Sequence, residues 1–279
     1  MDMRRRIAII YDFDLTLIPK NIQEYGFIDS LNMSPDEFWE ASAVVGNKHD
    51  MDSNLAYMYT MLELAKKNNL DITYEGLKKL GANIEYFEGV EEWFDRINEF
   101  GKSLGLEVEH YVISSGTKEI IEGASIYDKF KRVYGCRFTY DDDGRPIWVS
   151  QVVNYTTKTQ FIYRIRKNVL DDFYDSYKVN EYISDRSSIL PYENMIYIGD
   201  GQTDVPSMKL LNSKGGHSIC VYDPSSFKKF DVANRLFNEK RVNFIAPADY
   251  RDNSKIDSVI KNILKKVSIE NTLEELQND

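Results

Sequence analysis

Residues 7–16 read Ile-Ala-Ile-Ile-Tyr-Asp-Phe-Asp-Leu-Thr, an apolar run that stops at two carboxylates one residue apart. No other stretch restricts the fold as much. An unbroken run such as Ile7–Tyr11 suits a parallel strand buried on both faces. Side chains alternate along an extended chain, so Asp12 and Asp14 project to one side and Phe13 to the other. Two carboxylates held ~4 Å apart repel by about 4 kcal/mol at an effective dielectric of ~20. A cation or a shared proton must relieve such a pair, unless the strand simply runs out into a solvated acidic loop.

A second acidic strand end argues against the loop. Met195–Asp204 reads Met-Ile-Tyr-Ile-Gly-Asp-Gly-Gln-Thr-Asp, again a short apolar strand stopping at a carboxylate, Asp200. Gly199 and Gly201 flank it and suit a tight turn. Asp204, four residues on, faces back to the same spot if a loop or first helical turn follows. Ligands of open α/β sheets sit at the carboxyl ends of the strands. Two adjacent strands of this kind gather Asp12, Asp14, Asp200 and Asp204 around one point. Oxygen donors alone suit a hard divalent cation, magnesium completed by water and a substrate phosphate.

Two weaker pieces lie between. Val108–Thr117 is a strand ending in hydroxyls and a glycine, with Ser114 and backbone N–H groups at the start of a helix over Lys118–Glu122, an anion site in outline. Thr156 and Thr157 are N-cap candidates for a helix with Lys158 in its first turn. Lysine there opposes the helix dipole, an objection that an anionic partner removes.

In order, Asp12-Phe-Asp14-Leu-Thr16, the strand ending at Ser114, Lys158 and Gly199-Asp200-Gly201-Gln-Thr-Asp204 resemble the four motifs of the haloacid dehalogenase-like hydrolase superfamily. The Glu88-Gly-Val entry to a helix and the Gly-Asp-Gly form of the last motif look most like the phosphoserine-phosphatase-like branch. The resemblance covers Ile7–Thr16 and about Glu88–Tyr222. It implies an α/β fold, a Rossmann-like parallel sheet core (1–16 and 88–279) with an inserted helical cap (17–87). It also implies a magnesium-dependent phosphatase acting on a small phosphorylated metabolite. Asp12 would be the nucleophile and Asp14 the general acid and base. Asp12, the backbone carbonyl of Asp14 and Asp200 would hold Mg2+. Ser114, the neighbouring Ser115 and Lys158 would bind the phosphoryl oxygens, Asp204 would orient Lys158 or a metal-bound water, and Thr16 would steady the first loop. An acid at Asp14 separates phosphatases and phosphomutases from the superfamily's dehalogenases, which lack it, and from P-type ATPases, which carry threonine. A phosphomutase or phosphotransferase, or a silent relative that only binds a phosphorylated ligand, are the alternatives. The chain departs from the serine-phosphate enzymes where Ser115-Gly116-Thr117 follows Ser114, where Thr203 precedes Asp204, and where Asn21 stands near the expected ammonium-binding acid, with Glu24 the nearest carboxylate.

Composition narrows the partners. A net charge of −10 disfavours a nucleic-acid surface, so positive potential must be local to a pocket. The basic Arg4-Arg5-Arg6 precedes too short an apolar run for a signal sequence, and no span suits a membrane. Cys136 and Cys220 offer no disulfide framework or metal spacing and read as buried thiols of a cytoplasmic protein. The oligomeric state is left open.

The rest reads as scaffold. Ser34 before Pro35-Asp-Glu predicts a capped helix, Leu55, Met58, Met61, Leu62 and Ala65 predict another over Ser53–Asn68, and Thr73 starts a third. The methionine and aromatic stripes read as cap core, and His49-Asp50-Met51-Asp52 as a polar loop. Glu24 is the first candidate for the cap's inner face. Arg137–Val153 predicts a hairpin around Asp141–Gly144. Leu170–Pro191 reads as a polar insertion, Ser218–Tyr222 and Val242–Ile245 as strands, Ser254–Val267 as a closing helix, and Ser268–Asp279 as a frayed tail.

Overall fold

The computed structural model describes residues 5–170, 176–184 and 189–278. Seven strands among them form one sheet: β1 (Arg6–Tyr11), β2 (Glu107–Thr117), β3 (Arg132–Tyr140), β4 (Pro146–Gln151), β5 (Met195–Gly199), β6 (His217–Tyr222) and β7 (Phe244–Pro247). Their spatial order is β4-β3-β2-β1-β5-β6-β7. All neighbours are parallel except β3 and β4. β1 is buried at every position, as its unbroken apolar run requires of a central strand with helices on both faces. The chain builds outward on one side of β1 through β4, then returns to the other side at β5. The carboxyl ends of β1 and β5 therefore flank a topological switch point, where such sheets leave a crevice.

The helices are α1 (Phe27–Ser30), α2 (Pro35–His49), α3 (Ser53–Asn68), α4 (Tyr74–Leu80), α5 (Val90–Ser103), α6 (Lys118–Glu122), α7 (Lys158–Arg166), α8 (Ser176–Asn180), α9 (Val205–Ser213), α10 (Phe227–Asn238) and α11 (Lys255–Asn278). Helices α1–α4 fill the segment between β1 and α5. Ser34 closes a capping box with Glu37 at the start of α2, and Asp52 and Thr73 cap α3 and α4. Phe27, Phe38, Met58 and Met61 from these helices are buried in one continuous core with the strands. Leu55 of the expected α3 stripe is exposed.

Some boundaries differ from expectation. The hairpin's first strand begins at Arg132, because the same strand pairs in parallel with β2 before turning antiparallel to β4. The closing helix continues through Asn278, so the described part of Ser268–Asp279 is helical instead of frayed. Val267 is buried at its midpoint, and the Ser268 hydroxyl donates to the Leu104 carbonyl at 3.0 Å, which ties the continuation to the body. Parts of the Leu170–Pro191 insertion, 171–175 and 185–188, lie outside the described residues. Cys136 and Cys220 are free and buried.

Candidate active site

The register of the central strands sets the geometry. Asp12 follows β1 directly, and its N–H donates to the Ile198 carbonyl of β5 at 2.8 Å, so the sheet continues to the carboxylate itself. Asp200 follows β5, and a 3₁₀ turn over Gln202–Asp204 carries Asp204 back toward it. Side-chain oxygens of Asp12, Asp200 and Asp204 all lie within 4.8 Å of one another. Gly199 has no room for a side chain, since a Cβ there would stand 2.4 Å from Asp204 Oδ2.

Lys158, the first residue of α7, is fully buried between these acids. Its Nζ lies 2.8 Å from Asp12 Oδ2 and 2.7 Å from Asp204 Oδ1. Asp204 also accepts the Tyr197 hydroxyl at 2.7 Å. Burial lowers the Lys158 pKa, but Asp12 and Asp204 outweigh it and the ammonium is held charged. The helix is not capped by Thr156 or Thr157 as expected. Asn154 Oδ1 instead accepts the N–H groups of both at 3.1 and 2.9 Å, and Thr157 makes no side-chain cap.

The acids remain overloaded. Burial raises Asp12 well above the usual carboxylate range, with Asp204 and Asp200 adding to it against the pull of Lys158. Burial and Asp204 likewise raise Asp200, against Lys229. Asp14 is pushed up to about 7, by burial first, although the Ile22 N–H and Lys158 lower it. The Asp14 carboxylate turns aside and accepts that Ile22 N–H at 3.0 Å. Its side chain is therefore outside the three-carboxylate group, and only its backbone carbonyl is left for the ligand role expected of it. Four acids share Lys158 and Lys229, and this all-oxygen donor set fits a hard divalent cation.

The remaining expected residues divide. Ser114 is fully buried and its hydroxyl accepts the Gly116 N–H at 2.9 Å. Ser115 borders the cavity, and its carbonyl accepts the Tyr57 hydroxyl of α3 at 2.8 Å. Gly116 is required beside them, since a Cβ would stand 3.0 Å from Asp14 Oδ2. The Thr16 carbonyl accepts the Tyr250 hydroxyl at 2.9 Å, while its own buried hydroxyl has no partner among the described residues. Leu15, between Asp14 and Thr16, holds a left-handed backbone with φ of 57°, a strain that clusters at working sites.

A cavity of about 1240 Å³ opens above Asp12, Asp14 and Asp200 and is bounded opposite by α2 and α3. Glu24 is not among the described residues that border it; it accepts Asn21 Nδ2 at 2.6 Å. Asn21 and Gln23 border the cavity instead. Asp50 and Met51, from the segment read as a polar loop, border it too, and Asp52 beside them accepts a hydrogen bond from Asn154 Nδ2 at 3.0 Å. Of the aromatic and methionine stripes, Phe38, Met58 and Met61 are core, while Trp39 and Tyr57 border the cavity. Sequence reasoning missed Lys229, whose Nζ is 2.8 Å from Asp200 Oδ2. The signal was present: Ser226 caps α10 after β6, with Lys228 and Lys229 in its first turn, the same unfavourable dipole placement that marked Lys158.

No protein-family profile matches the chain. An uncharacterized protein of Borreliella burgdorferi is 29% identical over 278 positions, 90% of this chain and 93% of its own length. Among solved structures, an HAD family hydrolase from Salmonella enterica serovar Typhi superposes with a TM-score of 0.50 at 17% identity over 80% of this chain. The match spans 65% of that longer protein. A phosphoserine phosphatase in apo form gives 0.52 at 16% identity, covering 86% of this chain and 92% of that one. A phospho-aspartyl intermediate analogue of phosphoserine phosphatase gives 0.51 at 15%, covering 92% and 99%. The chain has the α/β Rossmann-like fold of the haloacid dehalogenase-like hydrolases. No helix among the described residues is long and apolar enough to cross a membrane.

Proposed function

We propose that the chain is a magnesium-dependent phosphatase that hydrolyses a small phosphorylated metabolite through an aspartyl-phosphate on Asp12. The observation that carries this reading is the fully buried Lys158 bridging Asp12 and Asp204 at the ends of adjacent strands, under an open cavity. A charge cluster kept only for stability would be balanced and closed.

In this reading Asp12 attacks the phosphorus in line with the departing oxygen. Asp14, raised to about 7, protonates that oxygen and later takes a proton from the water that opens the intermediate. Ser115, which borders the cavity, would meet the phosphoryl oxygens, and Lys158, buried beside Asp12, would add its positive charge, where stabilising developing charge is usually the largest catalytic contribution. Ser114, expected to bind these oxygens too, does not border the cavity and holds the Gly116 turn. Asp204 fixes Lys158 in place. Asp12, the Asp14 carbonyl and Asp200 would hold Mg2+, which supplies charge neutralisation for the transferring phosphoryl group. The helical segment 17–87 acts as a cap that excludes water and selects substrate. Buried free thiols suit a reducing compartment such as the cytoplasm.

The test is turnover of a phosphomonoester panel with and without Mg2+. Asp12→Asn is expected to lower kcat by about 10⁴-fold or more, as loss of a nucleophile does, with the circular dichroism spectrum unchanged. Substantial activity in Asp12→Asn would end the reading.

A further inference from the structure

The wall of the cavity facing the acids says what the leaving group is. Gln23 borders the cavity from a 3₁₀ turn over Ile22–Glu24 and is only 1% exposed. Its Nε2 donates to Thr117 Oγ1 at 3.4 Å, and its Oε1 has no partner among the described residues. Turning the amide over would satisfy the oxygen and strand the nitrogen, so either orientation leaves one polar atom unspent. Trp39 borders the same cavity, and its buried Nε1–H also has no partner among the described residues. The indole is held edge-on to Tyr57, with centroids 6.0 Å apart, and Tyr57 is itself fixed by its bond to the Ser115 carbonyl. Among the described buried side-chain atoms without a partner, those of Gln23 and Trp39 are the two whose residues border this cavity, where an occupant could meet them.

Charge narrows the occupant further. Among the residues of 17–87 that border the cavity there is no lysine, arginine or histidine, and Asp50 is the one charged side chain. The bordering cations, Lys228 and Lys229, come from α10 on the opposite wall beside Asp200, and Lys229 is paired with it. A carboxylate-bearing leaving group would satisfy Trp39, and Gln23 with its amide turned, but would bring a second anion into a wall whose one charge is that of Asp50. An ammonium would satisfy Gln23 and Asp50 but offer Trp39 no acceptor. A hydroxyl is donor and acceptor together, and a chain of them answers both groups. Aromatic faces also pack against the C–H faces of such a skeleton. At about 1240 Å³ the cavity is also generous for a two- or three-carbon acid.

We propose that the substrate is the phosphomonoester of a neutral polyhydroxylated skeleton, a sugar or sugar alcohol, read by Gln23 and Trp39. The proposal rests on the phosphatase reading above. It is tested by comparing kcat/KM for glucose 6-phosphate, ribose 5-phosphate and sorbitol 6-phosphate with that for phosphoserine, phosphoglycolate and phosphoethanolamine. Acetyl phosphate, which carries no hydroxyl for Gln23 or Trp39 to read, is the internal reference. The best sugar phosphate should exceed every charged competitor by about tenfold or more, and Gln23→Leu and Trp39→Phe should each lower the ratio of sugar phosphate to acetyl phosphate by about tenfold. Trp39→Phe keeps an aromatic ring while removing the N–H, so it serves if Gln23→Leu does not fold. A charged competitor turned over as well as the sugars, or variants that lower both substrates in parallel, would overturn the assignment. The two readings fail separately: calorimetric binding of ribose 5-phosphate to Asp12→Asn, lost in the Trp39→Phe double variant, upholds the pocket even if no phosphoester is hydrolysed. Absence of that binding sinks the pocket even if acetyl phosphate is hydrolysed.

Discussion

The two ends of strand β1 both bury charge, in opposite states of balance. At its start, Arg6 Nε donates to Glu109 of β2 at 3.1 Å, the Tyr111 hydroxyl donates to the same carboxylate at 2.7 Å, and Lys131 reaches it as well. Burial alone would raise Glu109, yet Arg6, Lys131 and Tyr111 outweigh it and hold the carboxyl below its ordinary range. At the other end Asp12, Asp14 and Asp200 are all pushed up. Burial is common to both ends. What differs is whether donors match acceptors. A satisfied buried ion pair is a structural device, whereas a surplus of one sign in an open cavity is a demand for a ligand.

The same chemical change at each end should therefore do opposite things. Glu109→Gln deprives Arg6 and Lys131 of the carboxylate they share and is expected to cost about 3–5 kcal/mol of folding stability, the usual penalty for breaking a buried pair. Asp12→Asn removes one acid from an overloaded cluster, and Lys158 keeps Asp204. Its stability should stay within about 1 kcal/mol of the parent by urea denaturation. If Asp12→Asn destabilises as much as Glu109→Gln, the two ends are alike and the comparison is wrong.

Magnesium sharpens the contrast by a smaller amount. A cation bound to the folded chain alone, at a hundredfold over its Kd, adds about 2.7 kcal/mol of stability. Calorimetry should show Tm rising with Mg2+ and falling back with chelator. The rise should vanish in Asp200→Ala and persist in Glu109→Gln. A Tm indifferent to Mg2+ would remove Asp200 from the ligand set without touching the fold.

How much of this was legible beforehand depends on distance along the chain. Asp12, Asp14, Asp200 and Asp204 announce themselves because each ends or follows an apolar strand within a few residues, but strand parity does not tell that the Asp14 carboxylate turns aside to the Ile22 N–H, and Asp204 is brought back by a 3₁₀ turn. Lys158 was legible as a lysine in the wrong place on a helix dipole. Which carboxylates it bridges was not, because that depends on α7 packing across the ends of β1 and β5. Lys229, Gln23 and Trp39 were missed for a related reason. Nothing local distinguishes a glutamine in a 3₁₀ turn from a solvated one; only the tertiary arrangement of 17–87 over the strand ends buries it. Glu24 was preferred for its charge, but the turn directs its neighbour Gln23 into the cavity and leaves Glu24 with Asn21.

Between the two ends lies a third buried group whose response to pH completes the comparison. His110 of β2 stands opposite Ile9 of β1, midway along the strand. Its Nδ1 is 3.0 Å from the Tyr11 hydroxyl and its Nε2 is 2.9 Å from Asn98 Oδ1. Trp93 Nε1 donates to that same hydroxyl at 2.8 Å, which leaves the Tyr11 proton for His110 Nδ1. The ring is therefore neutral, protonated on Nε2, and a second proton has no acceptor to face. Burial lowers its pKa to about 3, although Asp95 and Glu109 pull it upward. An unfolded chain takes up this proton near pH 6.5 and the folded chain does not until about 3. The contribution to stability is thus complete above pH 6.5 and is lost as pH falls toward 3, by ~2 kcal/mol at pH 5. Urea midpoints of the parent and His110→Gln, compared at pH 7 and pH 5, isolate this group from the carboxylates that titrate in both proteins. The parent should lose about 2 kcal/mol more than the variant across that interval. Equal losses would mean that His110 is charged or hydrated in the folded chain, and that the middle of β1 is less dry than its two ends.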